Sequence, residues 1–411
     1  MPPMVSFIVP VIGDAHFKSD ARQEDRLRSV DQIIDECFPE PVGFWAIPGD
    51  LFDGISDVAS RNAWLDRVKR MKAKAPVVIC YGNHDRDGDL YYLADSKFFT
   101  NSYPVYVLDR PTTFDLVTPQ LFSVRVFALP YPHPSGLVAD GTPPDAVVAT
   151  AAAMLDVIFM DAGAKLMQAE ALCLPTLMIG HANVSGSRMS TGQPLIGKEI
   201  ELDAGMLQRL GSCPKILNHI HFPQEIGGAV EVGSVTAMSW GEVEPKRYIK
   251  VIYGHDSLRW TWTWDVVSVP LRTPRLVHVN ATFDNLSFEY DIQPSDVPPQ
   301  SDVRVRITFK ESERLFYEHG RGQVLDAFVH ARRVFLDPIC EADTGLRSPE
   351  VAAAVTLVEK IEAWAHVVGL QVPDIASAVA ELETKTPDEV VLACERRLDA
   401  LMKGTDGSIE S

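Results

Sequence analysis

Five short clusters of aspartate, asparagine and histidine constrain this chain more than any other feature of its sequence. In chain order they are Gly13-Asp14-Ala15-His16, Gly49-Asp50, Gly82-Asn83-His84-Asp85, Gly180-His181 and Asn218-His219-Ile220-His221. Most of them directly follow a short apolar run rich in β-branched residues, and such a run predicts a buried strand. Side chains that follow neighbouring parallel strands meet at one edge of a sheet, so we expect the clusters to lie together.

The region around these clusters, from residue 1 to about residue 266, alternates short apolar strands with helical segments. This alternation predicts an α/β sandwich. Apolar residues at helical spacing predict helices over 21–37 and 62–73. The strands expected to deliver the clusters lie at 7–12, 44–47, 77–81, 174–179 and 215–217.

Length and composition indicate a globular protein of more than one domain. The 411 residues, 46% of them hydrophobic and 23% charged, are enough to bury a full core and to form two or three domains. The apolar run from Val5 to Val9 is too short to span a membrane. The six cysteines form no Cys-x-x-Cys pair, which is typical of reduced thiols. We therefore expect a cytoplasmic protein that is neither secreted nor inserted into a membrane.

The charge balance bears on nucleic-acid binding. A formal net charge of −18 argues against it, because phosphate contacts need Lys and Arg. Bound divalent cations would nevertheless invert the local potential, and the acidic chain contains one basic stretch. Its members are Arg304, Arg306, Lys310, Arg314, Arg321, Arg332 and Arg333. This stretch is either an ordinary solvated face or a DNA-contacting surface, and both interpretations stay open.

Two further regions follow the main domain, which is predicted over residues 1–268. Strands at 276–279 and 303–307 and a helix at 322–331 predict a small α+β module over 269–340. Ser348-Pro349-Glu350 and Thr386-Pro387-Asp388-Glu389 are start signals for two amphipathic helices within 346–403. Their apolar faces need a partner, which is each other, the main body or helices of another protein. Residues 404–411 are predicted to be a disordered tail.

The residue types in the five clusters suit phosphoester hydrolysis at two metal ions. That reaction requires neutralising negative charge, generating a nucleophile at neutral pH and helping an alkoxide to leave. Two divalent cations about 4 Å apart meet the first two requirements, and a carboxylate with two oxygens is the natural bridge between them. Mixed imidazole, carboxylate and amide ligands favour Mn, Fe or Zn over Ca or Mg, and Mn²⁺ is our first choice.

In this order and spacing the clusters resemble a known family. The patterns GDxH, GD, GNHD, GH and H-x-H over residues 14–221 resemble the calcineurin-like metallophosphoesterases. More narrowly, three segments resemble bacterial SbcD nucleases: Gly49-Asp50-Leu51-Phe52-Asp53, Gly82-Asn83-His84-Asp85 and the stretch from His219 to Ser234. The resemblance implies an α/β fold with a metallophosphoesterase β-sandwich flanked by helices. It also implies a small α+β DNA-capping domain after the sandwich, followed by C-terminal helices that bind an SMC-like ATPase.

The resemblance further implies roles for individual residues. Seven would hold two metals: Asp14, His16 and His221 one ion, Asn83, His181 and His219 the other, and Asp50 both. His84 would stabilise charge on the scissile phosphate and protonate the leaving oxygen, and Asp85 would hold its imidazole. His133 is a further histidine that could line a substrate groove.

The sequence departs from the family pattern in two places. Asn218 stands where the family usually has Gly before the H-x-H pair, so this turn must accept a side chain. Asn tolerates left-handed backbone better than most residues, and the metal site is therefore expected to survive. Phe17-Lys18 follows the first histidine where SbcD-type chains often have Leu-Gly, which changes the groups available to contact substrate.

Three functions compete for this sequence. The favoured one is a Mn²⁺-dependent DNA nuclease, an exonuclease on duplex ends and an endonuclease on single strands or hairpins. It would act in double-strand-break processing as a homodimer, with an SbcC-like SMC ATPase bound through the C-terminal helices. The second is a small-molecule phosphodiesterase or phosphatase, which has no need of the additional module and helices. The third is a non-catalytic scaffold of the same fold. The presence of every expected metal ligand argues against it.

Overall fold

The computed structural model describes residues 5–94, 102–189, 199–256, 260–284, 286–342 and 349–368, together with Thr386 and Glu389. The chain divides into two compact units. The first comprises residues 1–282, 288–307 and 320–338, and the second comprises 283–287, 308–319 and 339–411. The boundaries predicted at residues 268, 340 and 403 do not coincide with this division and stay predictions.

Strands and helices alternate along most of the described chain. The strands are β1 (Val5–Val11), β2 (Trp45–Ile47), β3 (Val77–Cys80), β4 (Val105–Leu108), β5 (Thr112–Val117), β6 (Ser123–Leu129), β7 (Thr176–His181), β8 (Asn183–Val184), β9 (Glu201–Leu202), β10 (Lys215–Asn218), β11 (Gln224–Ile226), β12 (Ala229–Glu231), β13 (Arg247–Asp256), β14 (Thr261–Pro270), β15 (Leu276–Asp284), β16 (Ser287–Tyr290), β17 (Asp302–Lys310) and β18 (Arg333–Glu341). The α-helices are α1 (Gln23–Cys37), α2 (Val58–Lys74), α3 (Val147–Ala171), α4 (Ala204–Arg209), α5 (Arg314–Ala327), α6 (Pro349–Ala353) and α7 (Leu357–Val368).

Two six-stranded sheets form most of the first unit. The first sheet has the order β14-β13-β1-β2-β3-β4, in which β1 to β4 are parallel and β13 runs antiparallel to β1. The second has the order β11-β12-β10-β7-β6-β5, in which β6, β7 and β10 are parallel. Parallel strands bring their carboxyl ends to the same edge of a sheet, as the sequence required for the five clusters.

Three apolar clusters explain why these sheets form a sandwich. The space between the sheets is filled by fully buried apolar side chains. Phe7, Val9 and Phe44 lie on the side of the first sheet and pack with Val126 and Ile179 of the second. The outer face of the first sheet is covered by α1 and α2, and that of the second by α3 and α4. The expected α/β sandwich flanked by helices is confirmed.

The helix α3 is 25 residues long and was not predicted individually from the sequence. One face packs into the core through Leu155, Phe159 and Leu166, whereas Val157 and Met160 lie on the exposed face. By length and apolar composition alone, it is the one described helix that could cross a membrane. That finding is weak evidence for a membrane span, because a helix packed on a protein core passes the same test.

A smaller sheet belongs to the region after Pro270. The parts of β16, β15, β17 and β18 that lie in the first unit follow one another in that order. Val303, Val305 and Ile307 on β17 are fully buried and alternate with more accessible residues, which is the predicted period of two. The helix predicted at 322–331 begins earlier, at Arg314, and ends at Ala327.

The first predicted C-terminal helix is divided into α6 and α7. The backbone N–H of Thr356 donates to the Glu359 carboxylate at 2.9 Å, and the N–H of Glu359 donates to Thr356 Oγ1 at 3.2 Å. This reciprocal cap begins a new helix at that point. At the second predicted helix, the Thr386 N–H donates to Glu389 at 2.8 Å. The remainder of that helix and the predicted tail at 404–411 lie outside the described residues.

Candidate metal centre

The carboxyl ends of the parallel strands carry the predicted ligands. In the first sheet, Asp14, Asp50 and Asn83 lie in the loops that follow β1, β2 and β3. In the second sheet, His181 is the last residue of β7 and His219 directly follows β10. Because β7 and β10 are parallel neighbours, these two histidines lie side by side.

The first group of converging side chains contains Asp14, His16 and His221. Their candidate ligand atoms all lie within 4.8 Å of one another. Nε2 of His16 is 2.9 Å from Nε2 of His221 and 3.3 Å from Oδ2 of Asp50. Two imidazole nitrogens that face each other beside carboxylates form a donor set suited to a divalent transition metal.

The second group contains Asn83, His181 and His219. Oδ1 of Asn83 is 2.9 Å from Nε2 of His181 and 3.0 Å from Nδ1 of His219. Oδ2 of Asp50 is 3.3 Å from Nε2 of His181, the same distance that separates it from His16. Asp50 therefore lies between the two groups. All seven predicted metal residues come together, and Asp14 also lies within 4.8 Å of the ligand atoms of Asp50 and His181.

The burial and charge of the carboxyls fit bound cations. Asp14 is fully buried, and its Oδ1 has no hydrogen-bond partner among the described residues. Burial raises the pKa of Asp14 well above its ordinary value, and the charge on Asp50 raises it further. Burial also raises the pKa of Asp50, but His181 and His16 outweigh it and hold that pKa below its usual range. A cation would compensate these buried charges, so the donor set fits divalent metals.

The backbone of the site is strained where the ligands are presented. His16, Asp50 and His219 have φ angles of 42°, 49° and 122°, in the region that residues other than glycine rarely adopt. Asn218 is the last residue of β10 and has no positive φ angle, so its side chain is accommodated without backbone strain at that position. At Gly82 only glycine fits, because a Cβ there would lie 2.1 Å from Oδ1 of Asp50.

His84 lies at the open side of the site, with 44% of its side chain exposed. Its ring centroid is 4.6 Å from that of His16, and its backbone N–H donates to Oδ1 of Asp50 at 2.9 Å. Its Nδ1 is 2.9 Å from Oδ1 of Asp53. Asp53 thus holds the imidazole through Nδ1.

The predicted contact of Asp85 with the His84 ring is therefore corrected. Asp85 is buried, and its carboxylate accepts hydrogen bonds from the backbone N–H groups of Leu51, Phe52 and Gly82, at 3.3, 2.9 and 2.9 Å. It fixes the loops that present Asp50 and Asn83 rather than the His84 imidazole. Burial and the charge on Asp50 raise the pKa of Asp85 to about 7.

Two glutamates at the site were missed by the sequence reasoning. Oε2 of Glu199 is 2.8 Å from Nε2 of His219, and Oε1 of Glu242 is 3.1 Å from Nδ1 of His221. The hydrogen bond to His219 lowers the pKa of Glu199. Burial raises the pKa of Glu242, but His221 and Lys246 outweigh it and hold the pKa below its usual range. The glutamates lie 20 and 21 residues from their histidines, so no local pattern could reveal them.

An open cavity of about 720 Å³ adjoins the site. Its walls include Asn83, His84, Arg86 and His133. His133 thus lines a groove beside the site, as the sequence suggested. The cavity gives a substrate access to the exposed face of His84.

The basic stretch near the end of the first unit is largely ion-paired. Arg332 and Arg333 each donate hydrogen bonds to both Asp25 and Asp302. The distances include 2.7 and 2.9 Å from Arg332 to Asp25 and Asp302, and 2.8 and 2.6 Å from Arg333 to the same two residues. Arg304 and Arg306 both pair with Asp337, at 2.7 and 3.3 Å. In the second unit, Arg314 pairs with Glu311 at 2.8 Å, and Lys310 is exposed. These pairs compensate much of the charge that a DNA surface would need.

Part of the chain is similar to a known protein family. Residues 9–142 match the model of the calcineurin-like phosphoesterase family. That segment contains Asp14, His16, Asp50, Asn83 and His84, and the α/β sandwich around it is consistent with a calcineurin-like metallophosphoesterase fold.

One solved structure similar to this chain is a dimetal phosphatase from Danio rerio. It is 10% identical, covers 65% of this chain and 99% of its own, and has a TM-score of 0.38.

Proposed function

We propose that this chain is a metal-dependent phosphoester hydrolase with a two-cation site. The observation that carries the proposal is the position of Asp50, whose Oδ2 lies 3.3 Å from both His16 Nε2 and His181 Nε2. One carboxylate oxygen between two histidine groups is what a bridging ligand requires. The scaffold alternative is disfavoured by the same geometry, since all seven predicted ligands converge.

Asp14, His16 and His221 would hold one cation, and Asn83, His181 and His219 the other, with Asp50 shared. When bound, two such cations neutralise a phosphoester and lower the pKa of a water molecule. His84 faces the cavity and, held by Asp53, donates a proton to the leaving oxygen. Imidazole, carboxylate and amide donors together favour Mn²⁺ over Mg²⁺ or Ca²⁺.

We further propose that the substrate is a phosphodiester of DNA, cut as an exonuclease on duplex ends and as an endonuclease on single strands or hairpins. The support is the SbcD-like pattern of the sequence and the open cavity of about 720 Å³ beside His84. The proposed partners are DNA, a second copy of the chain and an SbcC-like ATPase bound through the C-terminal helices. The proposed compartment is the cytoplasm.

A small phosphoester is the second candidate substrate. The ion pairs of Arg304, Arg306, Arg332 and Arg333 favour it, because they leave less free positive charge for a nucleic-acid backbone. Such a substrate needs only the cations and His84.

The test is cleavage of end-labelled linear duplex DNA by the purified chain in Mn²⁺, beside His84→Ala and a chromogenic phosphodiester. We expect DNA digestion by the wild type, a large loss with His84→Ala and equal Mn²⁺ binding by both proteins. Cleavage of the chromogenic ester alone would transfer the proposal to the small phosphoester. Wild-type rates from His84→Ala would remove His84 from the chemistry.

A further inference from the structure

The two histidines of the H-x-H pair face the site through different ring nitrogens. His219 turns Nδ1 toward Asn83, at 3.0 Å, whereas His221 turns Nε2 toward His16, at 2.9 Å. Each ring therefore has one nitrogen that points away from the site. Both outer nitrogens meet a glutamate: Nε2 of His219 meets Glu199 at 2.8 Å, and Nδ1 of His221 meets Glu242 at 3.1 Å.

We propose that Glu242 and Glu199 are positioning residues that fix the tautomers of His221 and His219 so that each presents a lone pair to a cation. The proposal rests on the two-cation site proposed above. A neutral imidazole carries one proton, and a carboxylate behind the ring keeps that proton on the outer nitrogen. His221 is then a donor at Nδ1 and a ligand at Nε2, and the assignment is reversed at His219.

Glu242 is the more rigid of the two carboxylates. It is buried, and its Oε2 accepts from Ser234 Oγ at 3.1 Å, from the Met238 N–H at 3.1 Å and from Lys246 Nζ at 2.7 Å. Lys246 is itself buried, with 1% of its side chain exposed. Because Oε2 is held by these donors, Oε1 is left in a fixed position against His221.

Replacing Glu242 with Gln should invert the tautomer of His221. The Lys246 ammonium can only donate, so it recruits the single oxygen of the Gln amide and leaves the NH₂ group facing Nδ1. Nδ1 must then accept, and the ring proton moves to Nε2, where it blocks the lone pair. Glu199 is less constrained, since 35% of its side chain is exposed, and Glu199→Gln should have a smaller effect on His219.

The matched control for Glu242→Gln is Glu244→Gln. Glu244 pairs with the same Lys246 amine, at 2.6 Å, whereas the carboxylate at His221 Nδ1 is Glu242. The two variants make the same chemical change around one lysine. A general loosening of this region would therefore affect both alike, and loss of ring positioning would affect only Glu242→Gln.

The experiment uses the full chain and two measurements that do not depend on activity. Mn²⁺ affinity and stoichiometry are measured by calorimetric titration. Tautomers are measured in the metal-free chain by ¹⁵N spectra of the 11 histidines, with His221 assigned from a His221→Gln variant. We expect Glu242→Gln to weaken one of two Mn²⁺ sites about 10- to 100-fold and to move the His221 proton to Nε2. Glu244→Gln should bind Mn²⁺ like the wild type.

Each outcome decides the proposal. If Glu242→Gln keeps the wild-type tautomer and Mn²⁺ affinity, or if Glu244→Gln loses as much affinity, positioning by Glu242 is overturned while the two-cation site stands. If the wild type binds no Mn²⁺, the proposed function fails with it. Should Glu242→Gln fail to fold, Glu199→Gln and the His219 tautomer provide the same decision at the more exposed position.

Discussion

Two polar regions of the first unit contrast in how their charges are satisfied. At the strand ends, Asp14 and Asp50 are buried beside each other, and Oδ1 of Asp14 has no hydrogen-bond partner among the described residues. In the arginine–aspartate cluster, Asp25 and Asp302 are also buried, but both bond to Arg332 and Arg333. The first region is incomplete without a cation, and the second is complete within the chain.

The pKa values of the acids express the same difference. Burial raises the pKa of Asp14, and the charge on Asp50 raises it further. Burial also raises the pKa of Asp25 and Asp302, but Arg332 and Arg333 outweigh it and lower both values. A cluster of charged residues therefore indicates a ligand-binding site only when other residues of the chain do not compensate all of its charges.

The largest predicted effect follows from removing the shared ligand. Asp50→Asn keeps the size of the side chain but removes the charge between the two histidine groups, so we expect a loss of about 10³-fold in phosphoester cleavage. Calorimetric titration should show fewer than two bound Mn²⁺ ions. The control is Asp25→Asn, which should change stability and leave Mn²⁺ stoichiometry unchanged. Full Mn²⁺ binding by Asp50→Asn would contradict the incomplete character of the first region.

The arginine cluster should instead respond through stability. Arg332→Ala leaves Asp25 and Asp302 with less compensation, and we expect it to lower the free energy of unfolding by about 3 kcal/mol. Arg306→Ala is the control, because half of that side chain is exposed and its pair with Asp337 should contribute less than about 1 kcal/mol. Denaturant titration of the metal-free chain measures both. Unchanged stability with lost DNA affinity in Arg332→Ala would make this cluster a DNA surface.

The contrast also explains what could be predicted from the sequence. The ligands were predictable because an apolar run followed by Asp, Asn or His is a local pattern, and parallel strands then align the run ends. The partners of Arg332 could not be predicted, because Asp25 lies 307 residues away. Glu242 and Asp53 were assigned no contact for the same reason.

The division of the first C-terminal helix into α6 and α7 differs from these distant contacts, because the sequence signal for it is local. Thr356 and Glu359 have the spacing of a capping box, but they lie inside an apolar pattern that continues from Pro349 to Val368. The continuous helical stripe predicts one helix, whereas the cap divides it in two. Strong periodicity identifies a helix but does not locate its ends.

Glu231 is a third type of buried acid, which lies neither in the metal site nor in the arginine–aspartate cluster. It is fully buried, and its closest donor is the neutral Ser187 hydroxyl, at 2.7 Å. Burial raises its pKa to about 7. As pH rises from its unfolded pKa to about 7, the unfolded chain ionises more easily than the folded one, so stability falls.

Glu231→Gln should abolish this pH dependence. We expect the variant to gain about 2 kcal/mol of stability relative to the wild type between pH 5 and pH 8, because one pKa unit corresponds to about 1.4 kcal/mol. The measurement is denaturant unfolding of the metal-free chain at several pH values, with Glu225→Gln as a surface control. A gain that is equal at both pH values would assign the effect to packing rather than to ionisation.

The smallest predicted effect distinguishes the role of Asp53 from that of Asp85. The sequence resemblance implies that Asp85, and not Asp53, holds the His84 ring. Asp53→Asn weakens the hydrogen bond that orients His84, so kcat should fall about tenfold while KM and stability stay near wild type. Asp85→Asn replaces one of the two oxygens that accept from three backbone N–H groups with an NH₂ group, and should lower stability by about 2 kcal/mol. Asp85 thus resembles Asp302, because its hydrogen bonds are satisfied within the chain. Asp53 belongs instead to the metal site, which needs cations to be complete.

Steady-state kinetics and thermal unfolding of both variants test this division. If Asp85→Asn lowers kcat at wild-type stability and Asp53→Asn has no effect, the original assignment is restored. That result would also require the His84 ring to turn away from Asp53 when a substrate binds. A kcat loss confined to Asp53→Asn, with unchanged Mn²⁺ affinity, would instead identify hydrogen bonding to His84 Nδ1 as the contribution of this carboxylate. Its contact with His16, at 3.8 Å, would act through metal binding, and its pair with Lys18 is exposed and contributes little to stability.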